Sequence, residues 1–181
     1  MKIRILLAII AITLMPAFAA EKAPWKAGVA TAVITPEKPM PMAGYGARKA
    51  PATGKDQDLF GKALAIEDQN GNRVVFITLD LIGVTAELRM AVEQGVREKY
   101  KLPPHALVIN ASHTHCGPAY GRAEVKDYFD GLVKKLIATV GRAIETSEPA
   151  RLSYAHAKCG FAMNRRTPTG EGYRNHPNPK G

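Results

Sequence analysis

The segment from Val74 to Ala111 constrains the fold of this chain more than any other, because it sets an apolar strand, an amphipathic helix and a second apolar strand in a row. Residues Arg73 to Leu79 are dominated by β-branched and aromatic side chains, which suit a pleated, half-buried surface. Thr85 is placed to cap a helix running to Tyr100, whose Leu88, Val92, Val96 and Tyr100 recur four residues apart on one face. Pro103-Pro104 stops that helix, and Ala106 to Ala111 comes next as the second strand. A strand–helix–strand unit of this length joins two parallel strands through a crossover that is almost always right-handed. The chain is thereby committed to an α/β fold, with a mixed β-sheet core and flanking helices. The unit also brings Asp80 and the residues after Ala111 to one carboxyl edge of the sheet, where open α/β sheets build their sites.

Directly after Ala111 the chain reads Ser112-His113-Thr114-His115-Cys116-Gly117-Pro118. In an extended chain residues i and i+2 point to the same side, so His113 and His115 are expected to face one small volume. Neutral imidazole is the commonest nitrogen ligand for zinc, and Gly117-Pro118 turns the chain away directly afterwards. An exposed pair that binds nothing has the same spacing, and spacing alone leaves both readings open. Asp80 has two readings as well: a carboxylate that orients an imidazole, or a capping and turn aspartate.

A chain of 181 residues suits about one domain by the usual prior of roughly 100–200 residues. Lys2 and Arg4, the apolar run Ile5 to Met15 and the small residues of Pro16-Ala17-Phe18-Ala19 have the form of an export signal over residues 1–20. The apolar run is shorter than the roughly 20 residues that span a bilayer. Export to the periplasm or the exterior is the expectation. Loss of Lys2 and Arg4 lowers the formal charge from +9 to +7, so the folded part stays basic. A basic surface suits nucleic acid, an anionic membrane surface or no specific partner; its lysines and arginines are scattered without interleaved aromatics, which argues against nucleic acid and favours no specific partner, with a peripheral contact at an anionic membrane surface as the remaining option. Cys116 and Cys159, in an oxidising compartment, are candidates for a disulfide only if the fold brings them together.

Along the rest of the chain, Ala27 to Ile34 reads as a first strand closed by Thr35-Pro36. A long loop from Glu37 to Asp58 carries Met42-Ala43-Gly44-Tyr45-Gly46, and loops of that length usually serve a function. Leu64 to Glu67 and Arg73 to Leu79 form a hairpin around Asn70-Gly71. A second helix is expected from about Glu124 to Thr146 with Val125, Phe129, Leu132, Val133, Leu136, Ile137 and Val140 as its buried stripe, then a last strand from Arg151 to Ala157. Thr167 to Gly181 reads as a polar tail with no returning strand, and a sheet edge left unpaired. His105 reads as solvated, His156 is either exposed on one face of the last strand or reaches the site, with exposure favoured, and His176 lies in that tail.

Ala27 to Pro36, Met42-Ala43-Gly44-Tyr45, Thr78-Leu79-Asp80-Leu81, Ser112 to Pro118 and Asn164-Arg165 together resemble the N-terminal part of the neutral/alkaline ceramidase family in order and spacing. The histidine motif is the specific part, and the likeness runs from about Ala27 to the end. It implies a zinc-dependent amidase that hydrolyses the N-acyl bond of ceramide or a related lipid amide, so that residues 21–181 hold the N-terminal portion of a catalytic domain. By the same resemblance His113 matches the family's first zinc-ligand histidine, and His115 matches its neighbour facing the substrate amide. Arg165 matches an arginine that contacts substrate, in preference to the adjacent Arg166.

The family's histidine around Asp56-Gln57-Asp58-Leu59 is missing here. Its second histidine ligand, its glutamate and tyrosine ligands and its serine nucleophile fall further along than Gly181. The expectation is an incomplete catalytic domain with weak zinc binding and no amide hydrolysis of its own. The alternative from another class is a non-catalytic exported module that binds lipid or a partner through its basic face.

Overall fold

The computed structural model describes residues 24–121 and 125–178, and the export signal expected over residues 1–20 lies outside them. The chain divides into two compact units, one ending at Arg151 and one beginning at Leu152. The first contains strands β1 (Trp25–Val33), β2 (Phe60–Asp68), β3 (Arg73–Leu79), β4 (Leu107–Ala111) and β5 (Glu148–Ala150), with helices α1 (Ala86–Tyr100) and α2 (Lys126–Glu145). The strands make one mixed sheet in the order β4-β3-β2-β1-β5. The β3–β4 pair is parallel, as the crossover through α1 requires, and the other pairs are antiparallel.

Register follows from side-chain alternation. Ala30, Ala63, Ile77 and Ile109 stand opposite one another in one row, and Val29, Leu64, Phe76 and Val108 in the next. The first row faces the helices, where Ala63, Ala65, Val75, Ile77 and Leu79 are buried with Leu88, Val92 and Val96 of α1 and Leu132, Leu136 and Val140 of α2. The second row lies on the outer face, where Val29 is 73 % and Val108 41 % exposed. Both helices therefore layer one side of the sheet.

Thr85 caps α1, its hydroxyl accepting from the Leu88 amide at 3.2 Å, and Lys101 closes it in the left-handed region. The second helix crosses β1 so closely that a Cβ added at Gly28 would sit 2.0 Å from the carbonyl oxygen of Ala143. Only glycine fits there.

Three expectations are revised. β2 begins at Phe60, four residues before the expected start, because Gly61 and Lys62 continue the ladder to Ala32 and Thr31 although they interrupt the apolar run. The strand expected over Arg151 to Ala157 is replaced by β5, which pairs with Trp25 to Ala27; Pro149 is tolerated because β5 is an edge. Leu152 and Tyr154 are 48 % and 90 % exposed, so the alternation there buries nothing. The second unit ends in a hairpin, β6 (Asn164–Thr169) with β7 (Gly172–Asn178), joined by Gly170-Glu171, in place of the expected polar tail.

Candidate functional site

The site loop begins where β4 ends. The Ser112 amide donates to the Leu79 carbonyl at 3.0 Å and the Thr114 amide to the Leu81 carbonyl at 2.9 Å, so the chain continues to track the end of β3 after the strand is over. It does not stay extended. His113 and Cys116 have φ of 60° and 66°, in the left-handed region that costs a residue with a Cβ about 1–2 kcal/mol. Such strain persists only where surrounding contacts hold it, and it gathers at functional sites. The two imidazoles do meet, with ring centroids 5.1 Å apart at 72°, but a turn achieves this rather than the alternation of a strand.

The rings are held differently. His113 Nδ1 lies 2.8 Å from the Ile82 carbonyl oxygen. A carbonyl can only accept, so Nδ1 carries the proton and the Nε2 lone pair is left for a ligand, as in histidines that bind metals. Asp80, the residue considered for that orienting role, sits elsewhere: its Oδ2 accepts from the Phe60 amide at 2.9 Å and its own amide donates to the Phe60 carbonyl at 3.0 Å. The carboxylate ties β2 to the end of β3, and a backbone carbonyl orients His113.

The segment that follows Ile82 is pinned by a residue that no sequence motif singles out. Tyr120 is 2 % exposed; its hydroxyl donates to the Gly83 carbonyl at 2.7 Å and accepts from the Thr85 amide at 3.2 Å. Burial pushes the Tyr120 phenol above its ordinary range, which keeps it a donor. Its one signal in the sequence is an aromatic two residues after Gly117-Pro118. A cleft of about 320 Å³ lined by Ala43, Ile82 to Thr85 and Ala119 to Gly121 opens beside it.

His115 makes no hydrogen bond through its ring among the described residues. It is half buried and packed against the long loop, with the Tyr45 ring edge-on at 4.8 Å. Gly44 has φ of 102°, and a Cβ there would come within 2.6 Å of His115 Cγ. The loop is pinned in place by backbone bonds, Ala43 N to Gly117 O at 2.8 Å, Cys116 N to Ala43 O at 3.2 Å and Ala119 N to Pro41 O at 2.8 Å. At its base Asp58 accepts from Thr35, and the Lys55 ammonium first and the Thr35 hydroxyl second hold the Asp58 carboxyl below its ordinary range.

No group of three or more His, Cys, Asp or Glu side chains converges among the described residues, so they offer a metal the imidazole pair alone. Cys116 and Cys159 are both exposed free thiols. His105 and His156 are exposed, in agreement with the solvated reading.

In the second unit Arg165 falls at the irregularity between Asn164 and Arg166 where the β6–β7 register shifts, and it lines a shallow cleft of about 390 Å³ with Met163, Asn164, Asn175 and His176. Arg166 instead stacks over the Tyr173 ring at 4.9 Å. Bulges re-aim side chains, which suits Arg165 better than its neighbour to a contact role.

A mixed sheet layered by helices, with two neighbouring imidazoles at the carboxyl edge beside a parallel crossover, one of them fixed in its tautomer by a backbone carbonyl, defines an α/β domain. Residues 25–180 match the N-terminal part of the neutral/alkaline non-lysosomal ceramidase family, and the chain belongs to that family. It is 31 % identical over 99 residues to the neutral ceramidases of Drosophila pseudoobscura pseudoobscura and Drosophila melanogaster, covering 53 % of this chain and 14 % of theirs. Among solved structures, the neutral ceramidase from Pseudomonas aeruginosa shares the fold with a TM-score of 0.62 at 24 % identity, over 70 % of this chain and 22 % of that one. A ceramidase complexed with C2 matches at 0.59 and 25 % identity over the same shares. The chain thus spans about one seventh of the length of the Drosophila relatives.

Proposed function

We propose that this chain supplies the His113/His115 part of a zinc-dependent site that hydrolyses the N-acyl bond of ceramide or a related lipid amide, and that it acts outside the cytoplasm. The observation that carries the reading is the 2.8 Å contact from His113 Nδ1 to the Ile82 carbonyl, which fixes the tautomer that a metal ligand needs. Family membership supports the substrate class, and so does the ceramidase relative complexed with C2. The chemistry that zinc would supply there is polarisation of an amide carbonyl and activation of a nucleophile.

The protein's own residues do the rest. His113, with its Nε2 lone pair left open, would hold the ion. His115 contacts the substrate amide, and its ring has no competing hydrogen bond to give up among the described residues. Arg165 supplies a cation for a substrate oxygen. The left-handed turns at His113 and Cys116 keep the two imidazoles beside each other before substrate arrives, so little ordering remains to be done on binding.

The test is zinc content and amide turnover in the protein as its gene encodes it. His113→Ala is expected to lose most bound zinc, whereas His115→Ala keeps the metal and loses turnover on a fluorescent ceramide. Equal zinc loss in the two variants reverses the roles, and undiminished turnover in both removes the site from the reaction. With two imidazoles and no third ligand group among the described residues, residues 21–181 alone are expected to bind zinc no more tightly than about micromolar, since catalytic zinc ordinarily takes about three protein ligands.

A further inference from the structure

We propose that Tyr45 and Arg48 are positioning residues for His115: Arg48 latches the long loop onto the histidine loop, and Tyr45, held by that latch, sets the orientation of the His115 ring. The inference rests on the role just proposed for His115, but its geometry stands apart from it.

The two imidazoles differ in what fixes them. His113 is fixed by a hydrogen bond, whereas His115 has none among the described residues, so packing alone decides where its ring points. Three groups pack on it. His113 is edge-on at 5.1 Å, Tyr45 is edge-on at 4.8 Å, and Gly44 lies so close that a Cβ there would overlap the ring. Gly44 bounds the ring by backbone placement and His113 through an imidazole that its own hydrogen bond to the Ile82 carbonyl holds. Tyr45 is the contact whose side chain has no such hydrogen bond to the backbone, and it is 55 % exposed, with no core to hold it.

What holds it is Arg48. The Arg48 amide donates to the Tyr45 carbonyl at 3.0 Å, closing a turn, and the guanidinium lies over the Tyr45 ring at 5.1 Å. The same guanidinium reaches both sides of the seam: Nη1 donates to Met42 Sδ at 3.7 Å and Nη2 to Cys116 Sγ at 3.2 Å. No carboxylate pairs with Arg48 among the described residues, so this cation is given over to one ring and two sulfurs. A cation over an aromatic face at an exposed site attracts weakly, enough to bias a rotamer and too little to matter to the fold. Met42, Tyr45 and Cys116, drawn together by one side chain, place the Tyr45 edge against His115.

The test uses the whole chain labelled with ¹³C-histidine, with the His115 ring signal assigned by its loss in His115→Gln. Tyr45→Leu and Arg48→Gln are each expected to shift and broaden the His115 signal while those of His105 and His156 stay put, with the melting temperature kept near the parent's. Tyr45→Phe, which keeps the ring edge, is expected to restore the parent signal. A His115 signal unchanged in Tyr45→Leu overturns the proposal, as does failure of Tyr45→Phe to restore it. Should Tyr45→Leu fail to fold, Arg48→Gln decides in the same way. In the protein as its gene encodes it, kcat on a fluorescent ceramide falls about ten- to a hundredfold in Tyr45→Leu with KM nearly unchanged, the pattern of a misplaced group. If the parent itself shows no turnover, the hydrolase reading fails while the histidine signals still decide this one.

Discussion

Replacing Gly28 by alanine tests how tightly α2 sits on the sheet. The new Cβ would lie 2.0 Å from the Ala143 carbonyl oxygen and 2.9 Å from both the amide and the hydroxyl of Ser147. Two of these are backbone atoms, so no side-chain rotation relieves the contact. The last turn of α2 or the middle of β1 must retreat by about 1 Å, and a gap of that size forfeits a quarter to a half of the dispersion energy along the opened seam. The side chains that lose contact are Val140 and Ala143, both fully buried. Overpacking of this kind costs about 1–3 kcal/mol, and the rigidity of a helix pressed on a sheet argues for the upper end. At about 2–4 °C per kcal/mol for a domain near this size, the melting temperature should fall by roughly 5–12 °C. Trp25, the only tryptophan, lies in β1 and reports the transition by fluorescence. Gly54→Ala is the control, since nothing lies within 4 Å of a Cβ there. If Gly28→Ala melts within about 2 °C of the parent, the spacing between β1 and α2 has been misjudged and the argument from close approach fails.

Two further outcomes can be checked. Gly44→Ala, at φ of 102° and with its Cβ 2.6 Å from His115 Cγ, should cost about 1–3 kcal/mol in stability and about a hundredfold in turnover on a fluorescent ceramide at unchanged zinc content; turnover equal to the parent's would show that His115 is not where the reaction needs it. Glu67 is held below its ordinary value of 4.5 by its hydrogen bond to Arg73 first and by Lys26 second, so its contribution is complete above that value and fades as pH falls through the lowered one. Glu67→Gln should therefore melt lower than the parent at neutral pH by an amount worth at most about 1 kcal/mol, with the gap closing in acid; a gap that persists there would point to lost packing instead of lost charge.

The β3–α1–β4 unit was legible because its periodicities are strong and its neighbours in sequence are its neighbours in space. So was the histidine pair, since both residues sit on one loop that the crossover delivers to the sheet edge. The partners of that pair were not. Met42 to Gly46 stood out as a motif, yet nothing local says that Gly44 and Tyr45 lie against His115, because the contact closes about 70 residues of chain. The partner of Asp80 was hidden for a related reason. Its place beside the motif is visible in sequence, whereas the Phe60 amide that occupies its carboxylate belongs to a strand that begins with an unpromising Phe-Gly-Lys. The β6–β7 hairpin has no apolar alternation at all: Asn164 to Thr169 is polar and almost wholly exposed, so only backbone pairing marks it as a strand.

The left-handed backbone at His113 has a consequence for mutagenesis. Alanine at that position removes the imidazole but keeps a Cβ in a conformation that disfavours it, whereas glycine removes the imidazole and the steric objection together. His113→Ala and His113→Gly thus separate chemistry from conformation. The first leaves the turn strained with nothing to restrain it, and the second leaves it relaxed. A difference between them in how His115 behaves would measure how much of the strain in this turn is held by the bond from His113 to the Ile82 carbonyl. The imidazole and the backbone conformation at this one position can thus be removed separately.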